Sequence, residues 1–111
     1  MTELPPIPTE FTSVIASREC EVARNGVCSK VLFEIGMPIQ DVPTVAGLDW
    51  RCPIRTSEDI QIVERYACGV DSFQAIHNAL RIVQSEIDAI AKCHSVTLFD
   101  APYPADDPFG Y

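Results

Sequence analysis

Residues 66–80 read YACGVDSFQAIHNAL and gather Cys68, Asp71, Ser72 and His77, the side-chain types from which hydrolytic sites are made. A Ser–His–acid site works only when the three groups converge within hydrogen-bond reach. From Asp71 onward the spacing is helical: Phe73, Ile76, Leu80, Val83, Ile87 and Ile90 form one apolar stripe. At ~100° per residue, His77 lies about 140° around that helix from Ser72, and Asp71 stands too far back to orient its ring. The local triad is excluded. The same letters suit a helix start, with Asp71 as the N-cap and Gln74 reaching back as in a capping box. Gly69, just before, lets strand and helix approach closely.

Other chemistry is thinner. Cys52 follows Arg51, and Cys68 sits near a helix start; either setting favours a thiolate. Neither has a histidine close in sequence, so both are read as core cysteines and no catalytic residue is assigned. Cys68 and His77 are kept as the rim of a candidate ligand pocket. Cys93 and His94 are adjacent, but no CxxC or HxxxH spacing accompanies them, and the DAPYPADD segment lacks the ligand pattern of a calcium loop. No metal and no cofactor is assigned. Arg51 and Arg55 share one face of a strand and could hold an anion. A four-residue TSED turn would instead set Arg51 opposite Glu64 as a cross-strand ion pair.

These residues must be positioned by a chain of 111 residues, enough for one hydrophobic core. Asn25-Gly26, between two alternating runs, predicts a two-residue hairpin turn. Pairing Arg24 with Val27 then sets Val22 opposite Ser29, Cys20 opposite Val31, Arg18 opposite Phe33 and Ala16 opposite Ile35. Residues 36–48, with two prolines and two glycines, read as a loop. WRCPIR and IQIVERYACGV read as two further strands, the first an edge or bulged because Pro53 donates no ladder bond. SVTLF is a candidate short fifth strand. The expectation is an α+β fold: a four-stranded antiparallel meander packed on one long C-terminal helix. Residues 1–12 and 100–111, rich in proline, are expected to be extended arms around a single domain at 13–99.

Net charge is −8, from 16 acids and 8 bases, which disfavours nucleic acid and anionic lipid as ligands. No apolar run approaches the ~18–20 residues that span a bilayer. The N-terminus carries acids and prolines where a secretion signal needs a basic start, and the five cysteines are odd in number and scattered. Both features point to a cytoplasmic protein with reduced thiols. The fourth strand has apolar residues on both faces. One helix covers one face, so Ile60, Ile62 and Tyr66, with Arg51 and Arg55, form the candidate interaction surface. An arm, a second copy or a partner must cover it.

Trp50-x-Cys52-Pro53-Ile54, followed by Tyr66-Ala67-x-Gly69-Val70-Asp71-x-x-Gln74-Ala75, resembles a family of small uncharacterised bacterial proteins, a domain of unknown function. Its members carry W-x-C-P-aromatic and G-V-D-x-x-Q-A segments, and Ile54 here replaces the aromatic. The resemblance spans roughly residues 14–92. It implies a bacterial single-domain protein and brings no activity, cofactor or catalytic residue. The leading expectation is a non-enzymatic interaction module, immunity- or antitoxin-like, binding one partner protein or forming a homodimer. The alternative is a small enzyme or ligand-binding protein with a pocket between helix and sheet.

Overall fold

The structure, a computed structural model, describes residues 3–103. Asn25 and Gly26 both take positive φ (52° and 81°) and turn β1 (Val14–Arg24) into β2 (Val27–Gly36). The ladder runs in the register that turn dictates, Arg24 to Val27 through Ala16 to Ile35, with an irregularity only near Val14.

The four-stranded meander is not what forms. The described residues build a seven-stranded antiparallel sheet with a single helix, a sheet-dominated fold. The segment read as a loop contains β3 (Ile39–Thr44), which pairs with the first half of β4 (Gly47–Glu58). Pro43 is tolerated because β3 is an edge strand. Its ladder is irregular between Ile39 and Val42, and that break blurs the alternation by which a strand is recognised. The chain then turns at Gly47, whose φ of 136° needs glycine.

β4 is the organising strand. One of its edges pairs with β3 and β2 in succession, the other with β5 (Gln61–Gly69) along nine residues. Because Thr56, Ser57 and Glu58 pair with Phe33, Leu32 and Val31, the strand continues through the letters read as a turn. The turn shrinks to Asp59 and Ile60. Arg51 therefore faces Cys68 and Arg55 faces Glu64, so no Arg51–Glu64 pair exists. The slip is four residues, an even number, and every side chain keeps its face.

Helix α1 (Ser72–Ala91) packs on one face of this sheet, mainly against β4 and β5. Its buried residues are Ala75, Ala79, Val83 and Ile87, with Ile76, Ile82 and Ile90 at the margins. Phe73, counted in the stripe, is 82% exposed. Gly69 lies against the first turn of the helix: a Cβ there would lie 2.4 Å from the amide nitrogen of Ala75. Near that contact the buried helix residues are the small Ala75 and Ala79, and farther along they are Val83 and Ile87. Beyond α1, β6 (Ser95–Leu98) pairs with β1, confirming a strand in SVTLF, and β7 (Ala101–Tyr103) pairs with β6. β7 lies in the segment expected to be an extended arm; residues 104–111 lie outside the described residues.

The core beneath α1 joins Val22, Val31, Phe33, Cys52, Ile54 and Ala67 to Val96, Leu98 and Tyr103. The opposite face is partly covered by the N-terminal arm. Phe11 lies over the Arg55 guanidinium, 4.1 Å from ring centroid to carbon, and Thr12 Oγ1 donates to the Met37 carbonyl at 2.8 Å. Gly36 lies directly beneath, where a Cβ would meet Thr12 Oγ1 at 2.4 Å.

Candidate functional site

Beyond its pairing with β4, β5 has no neighbour among the described strands, so it forms an open edge of the sheet. The orientation of that edge follows from one hydrogen bond. Asn78 Nδ2 donates to the Cys68 carbonyl at 2.9 Å, so that carbonyl points away from β4. In an antiparallel ladder the amide and carbonyl of one residue point the same way and alternate along the strand. Ile62, Glu64 and Tyr66 therefore present their backbone groups outward with Cys68. Asn78 closes the edge at one end, leaving the Ile62–Tyr66 stretch open.

Apolar side chains surround this open backbone. Ile60 is 96% exposed in the turn, Ile62 is 62% exposed on the strand, and Val63 is exposed beside it. Val70 and Phe73 are exposed where β5 passes into α1. Between β5 and the helix runs an open groove lined by Tyr66, Cys68, Asn78, Arg81 and Ser85. Its floor is tied by Arg65, which forms an ion pair with Glu86 and donates to Thr56 Oγ1 at 2.8 Å. Burial lowers the Arg65 pKa, and its Nε has no partner among the described residues.

The helix start is capped by Asp71, whose Oδ1 accepts from the Gln74 amide at 2.8 Å. Gln74 Oε1 accepts in return from the Val70 amide, one residue before the cap. Arg51, placed in the candidate surface from sequence, is only 2% exposed. Its guanidinium forks onto Asp41, with Nη2 to Oδ2 at 2.9 Å and Nε to Oδ1 at 3.0 Å, while Nη1 donates to the Glu10 carbonyl at 2.7 Å. Hydrogen bonding to Asp41 raises its pKa further. Arg55 is held by Glu34 at 3.0 Å beneath Phe11. Both arginines bind the arm and the sheet to each other and are not offered to a partner. Tyr66 is half-buried, and Ile60 and Ile62 remain exposed.

Of the suggested pocket rim, Cys68 lines the groove and His77, exposed on α1, does not. Burial, then Asp49, raise the Cys68 thiol pKa, outweighing Arg51. It is not an activated thiolate. Cys20 and Cys52 are buried and pushed up to about 11, and Cys28 and Cys93 are exposed, against the expectation that cysteines fill the core. Among the described residues no three His, Cys, Asp or Glu side chains gather as metal ligands, and no helix is long and apolar enough to cross a membrane. Asp41, Val63, Val70 and Asn78 were not named as site residues from sequence, and Phe73 was counted toward the core. Asp41 sits in a proline-flanked segment that hid a strand.

The arrangement among the described residues is that of a sheet-dominated domain with one helix, in which β5 is an open strand edge. The sequence profile described as Domain of unknown function (DUF6968) matches residues 16–103, from β1 through β7, and the chain belongs to that family. No curated protein and no solved structure matches the chain.

Proposed function

We propose that this protein is a non-enzymatic interaction module that binds one partner protein along the open edge of β5. The observation that carries this reading is the outward-facing backbone of Ile62, Glu64 and Tyr66, bordered by exposed Ile60, Ile62, Val63, Val70 and Phe73. An unpaired edge takes an added strand through main-chain hydrogen bonds, and flanking side chains supply selectivity. Net charge of −8 favours a basic partner and speeds its approach, as an immunity- or antitoxin-like protein would require. Five cysteines without a disulfide suit a cytoplasmic setting.

The test places a photo-crosslinking residue at Ile62 in living cells. One heterologous cross-linked protein is expected, lost when Glu64→Pro removes an outward amide without touching the ladder to β4. No product, a product insensitive to Glu64→Pro, or cross-linking only to a second copy would each overturn the reading.

A further inference from the structure

The open edge of β5 is half closed where it ends. Asn78 Nδ2 donates to the Cys68 carbonyl at 2.9 Å, standing where the N–H of an incoming strand would have to lie. The Cys68 amide points outward beside that carbonyl and takes no part in the bond. At Cys68 an added strand therefore meets a free donor and a blocked acceptor. A chain that continues past this point brings an N–H that finds no carbonyl. A chain that stops there needs only the donor, because its last group is a carboxylate.

The charge at this point agrees. Asn78 reaches Cys68 and Glu86 reaches Arg65, so α1 runs back along β5. Arg81, one turn on from Asn78, is exposed and lines the groove with Tyr66 and Ser85. Arg24, Lys30, Arg51, Arg55 and Arg65 each hold an acid. Arg81 holds none among the described residues, and its helix neighbours His77, Asn78 and Ser85 carry no negative charge. Glu86, the acid that lines this groove, is already taken by Arg65. The five N–H donors of an unpaired guanidinium suit a carboxylate. The same charge sets direction. It repels an N-terminal ammonium, so the added strand runs parallel to β5 and brings its C-terminus to Cys68.

From the half-closed edge and the unpaired cation beside it, we infer that the partner is recognised by its C-terminal strand, laid parallel along Ile62–Tyr66. In a parallel ladder one residue bridges two alternate residues of its neighbour. The terminal residue bridges Tyr66 and Cys68: its N–H donates to the Tyr66 carbonyl, and its carboxylate accepts from the Cys68 amide and from Arg81. This rests on the partner reading above and specifies the part of the partner that binds.

The probe is an array of synthetic peptides of varied sequence, each made with a free C-terminal carboxylate and again as the C-terminal amide. The full chain is applied, and the peptides it holds are titrated in solution by fluorescence anisotropy. Free acids should bind about ten-fold or more tighter than their amides, the scale of one charge-assisted hydrogen bond. Arg81→Gln, at an exposed helix position, should erase that preference, and Glu64→Pro should weaken both series. Equal binding of acid and amide, or a preference that survives Arg81→Gln, would overturn the carboxylate assignment. Sensitivity to Glu64→Pro would then still mark β5 as the edge in use, leaving the partner reading standing. Acids whose binding ignores Glu64→Pro lie off this edge and overturn the assignment too. So does an array in which no free acid binds, with the partner reading judged by its own cross-link.

Discussion

Arg51 shows how a single charged residue binds three parts of this chain together. Its fork onto Asp41 joins β4 to β3, and its bond to the Glu10 carbonyl holds the N-terminal arm against the sheet. Arg51→Ala should cost about 3 kcal/mol in urea unfolding, at the low end of the ~3–5 for breaking a buried pair, because Asp41 keeps some contact with solvent. Replacing the pair by Arg51→Met with Asp41→Leu should recover most of that loss. The cysteines divide by environment in the same residue-level way. In native protein a thiol reagent should titrate Cys28 and Cys93 promptly, and Cys20 and Cys52 only on unfolding. Burial lifts the thiols of Cys20 and Cys52 from 9.0 to about 11. The folded state then holds protons that the unfolded chain releases, so this contribution is complete below about pH 9 and falls as pH rises toward 11. Unfolding midpoints at pH 8 and 10.5 should separate for the wild type and converge for Cys20→Ala/Cys52→Ala.

At the scale of elements, the junction of β5 and α1 governs the inner layer. Asp71→Ala removes the acceptor for the Gln74 amide and should cost roughly 0.5–2 kcal/mol, with Ser72→Ala costing much less. Gly69→Ala should be worse than either, because its methyl would collide with helix backbone at 2.4 Å and the helix must move as a unit. Circular dichroism melts of the three variants rank them. A ranking with Ser72→Ala worst would contradict the capping geometry. The N-terminal arm behaves as an element too. Deleting residues 1–11 removes both the Phe11 ring over Arg55 and the Glu10 acceptor for Arg51, and should lower the melting temperature while leaving the helix content unchanged.

Across the whole molecule, local signals and long-range pairing divided the outcome. The hairpin of β1 and β2 was legible down to its register, because Asn-Gly specifies one turn and alternation allows one facing. The helix was legible in extent, and its cap in detail, because periodicity and capping depend on residues within one turn. The sheet's size was not. Whether residues 36–48 form a strand depends on β4 lying beside them, and β4 extends through Glu58 only because β2 pairs with it there. Whether Arg51 is a surface cation or a buried tie depends on an arm forty-one residues earlier and on Asp41. The open edge of β5 exists only once the other edge of β4 is taken by β2 and β3. Amino-acid sequence by itself determined the Asn25-Gly26 turn, the Asp71 cap and the facing of side chains along β1 and β2, since these follow from steric and hydrogen-bond preferences of neighbours in the chain. Only the tertiary structure decided which strand lies open and which apolar faces remain uncovered, since those are set by contacts between residues far apart in sequence.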